Sequence, residues 1–193
     1  MNVKNYKQKL LDELYKPYIK CMQCPLGGLG RTKVVFGAGN PDSKIMFIGE
    51  APGAKEDELG LPFVGRSGQL LTRALNKLNV QRDDVFITNI VKCRPPNNRL
   101  PLPIESTTCK SILLFNQIKI IRPKIICTLG SHALNSLYDK VFQITKCRGK
   151  QHEFDGIVVI PTYHPAYVLR NPVSGKHFLE DIKCALELAE MIK

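Results

Sequence analysis

The stretch KIMFIGEAPGAKEDELGLPFVG (residues 44–65) contains an apolar run, which indicates the fold, and the polar loop that follows it. Its first six residues, 44–49, form a continuous apolar run, which is typical of a strand buried on both faces of a sheet. The loop that follows is rich in acidic residues, glycine and proline, and it contains one phenylalanine, Phe63. A surface loop does not need this aromatic side chain, and a phosphate-binding loop would not carry so much negative charge. The role of the loop therefore depends on what the rest of the chain brings beside it.

Further apolar runs alternate with helical patterns along the chain. The predicted strands are 44–49, 84–91, 124–130 and 156–165, and the predicted helices are 3–20, 67–80, 104–121, 131–138 and 173–192. This alternation predicts an α/β fold with a mainly parallel, doubly wound sheet. No repeat or low-complexity tract divides the chain, so we expect a single domain over 1–193. Ligands of such sheets bind beyond the carboxyl ends of the strands.

Composition favours a polyanionic partner. The 193 residues include 28 basic and 17 acidic side chains, a formal net charge of +11. Nucleic acid is favoured over a membrane surface because no basic amphipathic helix with an aromatic face stands out. The alternative is that the excess of lysine only keeps the protein soluble. The sequence has no apolar run of about 18 residues, and its N-terminus is typical of a helix rather than a signal peptide. We expect a cytoplasmic monomer with no membrane contact.

Four of the seven cysteines form two spaced pairs. Cys21 and Cys24 are separated by two residues, and Cys93 and Cys109 by a longer, proline-rich stretch. In a reducing compartment thiols are free, catalytic or bound to metal. Four thiolates in two loops can bind tetrahedral zinc or an iron–sulfur cluster, and the spacing does not distinguish these metals. Four unrelated thiols are the remaining interpretation.

Three segments resemble a known family when they are taken together with these cysteines. GEAPGAKEDELGLPFVG (49–65), TNIVKCRPPNNRLP (88–101) and HPAYVLR (164–170) are similar, in this order, to the family-four uracil-DNA glycosylases, the iron–sulfur class of bacteria and archaea. The resemblance runs from Cys21 to about Arg170. It implies a three-layer α/β/α sandwich and a 4Fe-4S cluster held by Cys21, Cys24, Cys93 and Cys109. The implied partner is uracil-containing DNA, single- or double-stranded, and the implied activity is hydrolysis of the N-glycosidic bond in base excision repair.

The resemblance assigns three side chains to a flipped-out uracil. Phe63 would stack on the base. Asn89 would accept a hydrogen bond from N3–H and donate one to O4, whereas cytosine offers the opposite pattern at these atoms. His164 would donate to O2 as uracil leaves as an anion. The alternatives are core packing for Phe63, a loop hydrogen bond for Asn89 and a structural role for His164.

Three residues of the loop after the first strand complete the implied pocket. Glu50 would lie beside the scissile bond and position water or balance the cationic sugar. Family-one glycosylases place a water-activating aspartate where this chain has Ala51, so the water activator is unassigned. Glu56 would crowd C5 of the pyrimidine and exclude the methyl group of thymine.

Further residues are expected to contact the duplex. Arg94 and Arg99 would bind phosphates, which makes binding depend on salt. An apolar side chain, Val168 or Leu169, would wedge into the gap left by the flipped base, with Arg170 on a phosphate. Packing of a helix against the core is the alternative for this segment.

Two other function classes compete with the monofunctional glycosylase. A non-catalytic iron–sulfur or zinc DNA-binding module would keep the pocket and lose turnover. A nucleotide-handling enzyme on the same fold is disfavoured because the chain has no phosphate loop of the GxxxxGK[ST] type.

Overall fold

A mixed sheet lies between two layers of helices in the computed structural model, which describes residues 3–192. In the described residues the sheet has six strands: β1 (Ala38–Gly39), β2 (Ile45–Gly49), β3 (Phe86–Asn89), β4 (Ile125–Leu129), β5 (His152–Phe154) and β6 (Ile157–Thr162). Their order is β1-β3-β2-β4-β6-β5. The four central strands pair in parallel, while β1 and β5 pair antiparallel at the edges. The predicted mainly parallel α/β/α sandwich is confirmed.

Helices connect the parallel strands. Within the described part of the chain they are α1 (Val3–Tyr15), α2 (Ala54–Leu59), α3 (Arg66–Lys77), α4 (Pro103–Cys109), α5 (Phe115–Ile121), α6 (Ser131–Tyr138), α7 (Ile144–Cys147), α8 (Pro165–Arg170) and α9 (Gly175–Met191). A π-helical turn, Lys110–Leu114, joins α4 to α5, so this run matches the predicted helix 104–121. The first helix is shorter than predicted because Pro17 lies in a 3-10 turn, Lys16–Tyr18, directly after α1. Among residues 3–192 no helix is both long and apolar enough to cross a membrane.

The apolar strands are explained by burial on both faces. On β2, Phe47 belongs to a core cluster with Leu71 of α3 and Ile182 of α9. The next residue, Ile48, belongs to a second cluster that includes Leu11 of α1 and residues of α5 and α6. Successive strand residues point to opposite faces, so helices on both sides require apolar residues at every position.

Neither of the two antiparallel edge strands was predicted from the sequence. β1 has only two residues, and β5 has three with an exposed central position. Neither carries the apolar run that identifies the central strands. The central strands matter more for function, since all four end at one edge of the sheet.

Candidate active site

A cleft of about 850 Å³ opens at the carboxyl edge of the sheet. Segments that follow β2, β3, β4 and β6 contribute to its walls, which is the position expected for a ligand of a doubly wound sheet. The cleft brings together the side chains that the sequence assigns to base binding and catalysis: Glu50, Ala51, Glu56, Phe63, Asn89 and His164.

Phe63 and Asn89 meet above the last residue of β2. A Cβ atom added to Gly49 would overlap both Oδ1 of Asn89 and Cζ of Phe63, so only glycine fits there. Asn89 is 1% exposed, and its Oδ1 has no hydrogen-bond partner among the described residues. Buried polar atoms are rarely left unpaired. An unpartnered acceptor beside an aromatic ring suits a planar ligand that brings an N–H group.

His164 follows β6 and caps the N-terminus of α8. Its Nδ1 accepts a hydrogen bond from the backbone N–H of Ala166 at 3.1 Å. Burial, together with the charges of Arg170 and His132, lowers the pKa of His164 to about 4, and Glu56 acts in the opposite direction. The ring is therefore neutral near pH 7. Because Nδ1 is an acceptor, the proton is on Nε2, which becomes a donor.

Glu50 begins the loop after β2. Burial raises the pKa of its carboxyl group, and the charge of His132 lowers it. His132 lies at the start of α6 and also lines the cleft, yet the sequence analysis did not identify it as a site residue. The signal was its position directly after β4, at the same sheet edge as the other strand-end residues. His132 therefore affects the pKa of both Glu50 and His164 across the cleft.

Glu56 makes its hydrogen bonds with the loop that carries Phe63. Its Oε1 accepts from the backbone N–H groups of Val64 at 2.9 Å and Gly65 at 2.7 Å. The carboxylate is thus engaged in holding the loop, although the side chain also borders the cleft. Its contact with C5 of a pyrimidine stays a prediction.

The helix that follows His164 carries the residues expected to contact the duplex. Of the two residues expected as the wedge, Val168 or Leu169, Val168 is 5% exposed and packs in the core cluster of α3 and α9, so its burial fits the alternative of helix packing. Leu169 is partly exposed, and Arg170 is exposed and lines the cleft. Tyr167, which the sequence analysis missed, is exposed at the cleft and lies 5.0 Å from Tyr163 between ring centroids.

The two arginines of the loop after β3 already have protein partners. Arg99 donates to both carboxylate oxygens of Glu105, at 2.8 and 2.7 Å, and Glu105 is 0% exposed. This pairing keeps the pKa of Glu105 below its ordinary value. Arg94 donates to Oδ1 of Asn98 at 2.8 Å. Phosphate contacts of Arg94 and Arg99 stay predictions, and the charge of Arg99 is balanced within the protein.

The four predicted metal ligands lie in one region of the molecule. Cys93 and Cys109 are buried in the core cluster that α1 joins, and Cys21 and Cys24 pack against that cluster. Burial is the main cause that raises the pKa of Cys93 to about 12; the positive charge of Arg31 acts against it, and the other three cysteines add to it. No three histidine, cysteine or acidic side chains among the described residues already stand in metal-binding geometry. The donor set, four cysteine sulfurs of which Cys109 lies at the end of α4, is nevertheless the set that iron–sulfur clusters use.

Comparisons with known proteins agree with this site. The family model described as "Uracil DNA glycosylase superfamily" matches residues 36–187. The chain is 48% identical to a type-4 uracil-DNA glycosylase of Thermotoga maritima over 183 residues, which covers 93% of this chain and 94% of that protein. It is also 48% identical to a type-4 uracil-DNA glycosylase of Sulfurisphaera tokodaii, over 93% of this chain and 84% of the relative. A type-5 uracil-DNA glycosylase of Pyrobaculum aerophilum is 33% identical over 66% of this chain and 63% of its own length. From the fold, the cleft and these relatives together, the chain belongs to the uracil DNA glycosylase superfamily and, within it, to the type-4 class.

Proposed function

We propose that this protein is a monofunctional uracil-DNA glycosylase, which hydrolyses the bond between uracil and deoxyribose and leaves an abasic site for base excision repair. The observation that carries the proposal is the unpartnered Oδ1 of buried Asn89 beside the ring of Phe63. The names of the type-4 relatives support the same activity.

Base recognition follows from these two residues. A uracil that has left the stack lies with one face on Phe63. Asn89 accepts from N3–H and donates from Nδ2 to O4, a pattern that cytosine does not complement. A wrong base leaves the buried amide unpaired, which costs about 1–3 kcal/mol for each unsatisfied group.

His164 acts on the leaving group. As the glycosidic bond breaks, negative charge develops on the uracil ring. The neutral imidazole donates from Nε2 to O2 and stabilises that charge, while the bond from Ala166 keeps Nδ1 an acceptor and the ring in place. A donor aimed at developing charge in a water-poor site is worth far more than the same group in water.

Glu50 acts on the sugar side of the bond. Its carboxylate balances the positive charge of the oxocarbenium-like sugar and orients the attacking water. Burial raises the pKa of Glu50, so activity requires a pH above that raised value. The neighbouring position is Ala51 and supplies no second acid.

DNA binding rests on the charge around the cleft. The rim includes the basic residues Lys55, Arg66 and Arg170. Contacts of these side chains with phosphates make affinity fall as salt rises. Leu169 and Tyr167 are the exposed or partly exposed apolar groups of α8 that can fill the gap left by the flipped base.

We assign a 4Fe-4S cluster to Cys21, Cys24, Cys93 and Cys109. Closed coordination by four thiolates supplies no substrate site, so the cluster is structural. It ties the segment before β1 to the loop after β3, beside the cleft. We further propose that the protein acts as a monomer in the cytoplasm, at the nucleoid.

The test is incubation of anaerobically purified protein with a labelled uracil oligonucleotide, followed by alkaline cleavage, with thymine and cytosine strands as controls. Cleavage at uracil alone is expected. His164→Ala should lower the single-turnover rate by about 100- to 1,000-fold and leave DNA binding intact, whereas His177→Ala, at an exposed position of α9, should change neither. Tight binding without any cleavage by the parent protein would instead identify a DNA-binding module.

A further inference from the structure

Phe63 has an unusual backbone conformation for an aromatic residue. Its φ angle is +51°, in the left-handed region that residues with a side chain seldom adopt. Such conformations persist only where the surroundings hold them, and they concentrate at functional sites. The contacts that hold Phe63 are therefore of interest in their own right.

On one side the loop is bound by the carboxylate of Glu56. Oε1 accepts from the N–H groups of Val64 and Gly65, so one oxygen fixes two successive amides. Hydrogen bonds to an ionised acceptor are shorter and stronger than neutral ones.

On the other side the loop is bound by the guanidinium group of Arg82. Nη1 donates to the carbonyl oxygen of Phe63 at 2.9 Å, and Nη2 donates to the carbonyl oxygen of Pro62. Nη1 also lies 3.4 Å from Oγ1 of Thr72 on α3, which fixes the guanidinium to the helix that follows the loop. Burial lowers the pKa of Arg82, and the negative charges of Asp83 and Glu56 act against this effect.

The two side chains bind opposite ends of one peptide group. The carbonyl of Phe63 and the N–H of Val64 belong to the same planar unit and point in opposite directions. Arg82 binds the first and Glu56 binds the second. Rotation of this peptide therefore breaks charge-assisted bonds at both ends. The φ angle of Phe63 changes with rotation of the preceding peptide, Pro62–Phe63, and Arg82 binds the carbonyl oxygen of that peptide as well.

The first turn of α3 packs closely against the loop. A Cβ atom added at Gly68, in the first turn of α3, would overlap the backbone carbonyl of Phe63. The helix therefore lies directly against the peptide that Arg82 and Glu56 bind.

We propose that Arg82 and Glu56 are positioning residues that clamp the Phe63–Val64 peptide and so hold the ring of Phe63 in the cleft. Arg82 does not line the cleft. It borders a separate shallow depression, which Phe63 and Thr72 also line. This proposal depends on the proposed function in one respect only, namely that the group that stacks on the ring of Phe63 is a uracil base.

The first test reads the ring itself and needs no activity. The chain has no tryptophan, so Phe63→Trp introduces a unique fluorophore at the clamped position. In this background Arg82→Gln should raise acrylamide quenching about twofold or more and lower the anisotropy. Arg82→Lys keeps the charge but loses the planar fork, and it should restore the signal only in part. The control is Arg73→Gln, which removes the same charge from an exposed position of α3 beside the same depression.

The second test asks whether Arg82 acts through Phe63. On a uracil oligonucleotide, Arg82→Gln should lower the single-turnover rate by about 10- to 100-fold but by less than about twofold when Phe63→Ala is already present. Thermal unfolding of each variant shows that it is folded. A full loss in the Phe63→Ala background, or unchanged fluorescence in folded Arg82→Gln, would overturn the clamp. If the parent protein cleaves no uracil strand, the proposed function fails, and the fluorescence result alone decides the clamp.

Discussion

The rings of Phe63 and His164 lie 6.0 Å apart between centroids, with their planes inclined by 40°. A pyrimidine sandwiched between two parallel rings would need a gap of about 7 Å, twice the usual contact distance of ~3.5 Å. A base stacked on Phe63 must therefore meet His164 with its edge. One residue binds the face of the base and the other donates to an edge oxygen, so stacking and leaving-group stabilisation are separable.

Gly49 should be irreplaceable for activity. In Gly49→Ala the added methyl group would overlap Oδ1 of Asn89 and the ring of Phe63 and displace both from the base. We expect the single-turnover rate on a uracil strand to fall by about 100-fold or more. Gly175→Ala is the matched control, because its Cβ would have its nearest neighbour at 3.8 Å. Equal rates for the two folded variants would contradict the placement of the base.

Removal of His132 should move the acid limb of the pH–rate profile upward. The positive charge of His132 lowers the pKa of Glu50, whereas burial raises it. His132→Ala therefore leaves burial unopposed, and Glu50 is protonated at a higher pH. Single-turnover rates from pH 4 to pH 8 would measure the shift, with exposed His177→Ala as the control. An unchanged or downward-shifted limb would exclude a functional carboxylate at Glu50 coupled to His132.

Acid should destabilise the protein partly through His164. The pKa of His164 is about 4 in the folded state and about 6.5 in the unfolded state. Between pH 4 and pH 6.5 the unfolded chain therefore binds a proton at this residue and the folded chain does not. Stability from this residue is complete above pH 6.5 and falls on acidification, by about 2–3 kcal/mol at pH 4.5. His164→Asn keeps an acceptor for the Ala166 amide and cannot titrate.

Urea unfolding at pH 7 and pH 4.5 compares the two proteins. The loss of stability on acidification should be smaller in His164→Asn by that amount. Identical losses would mean that His164 is solvated and protonates freely.

Loss of one predicted cluster ligand should remove the metal and loosen the fold. In Cys93→Ser, purified without oxygen, we expect the brown absorbance and bound iron to be lost and the unfolding midpoint to fall by about 10 °C. Cys184→Ser, in α9 and outside the four-cysteine set, should retain both. Zinc in place of iron would correct the identity of the metal, and full stability of metal-free Cys93→Ser would contradict a structural role.

The central sheet could be predicted because its strands are buried on both faces, which requires a continuous run of apolar residues in the sequence. β1 and β5 could not be predicted, because strands of two or three residues at the edge of the sheet contain no such apolar run. Within the site, Glu50, Phe63, Asn89 and His164 could be predicted because each lies at or after the end of a parallel strand inside a recognisable motif, and the structure brings them to one cleft.

Other features depend on contacts between distant parts of the chain. The burial of Val168 could not be predicted because the orientation of a six-residue helix is set by packing against α3 and α9, not by its own pattern. The bonds of Glu56 to its own loop, and the approach of Arg82 from the other side, arise only when the chain is folded. His132 carried no motif, and only its place beside Glu50 makes it notable.

The most direct measurement is the mass of the products formed from a strand with a single uracil, before any alkaline treatment. We expect free uracil and an intact strand that carries one abasic site, with no product from the matching thymine strand. A strand of unchanged mass, or one already cut at the sugar–phosphate backbone, would contradict a monofunctional uracil-DNA glycosylase.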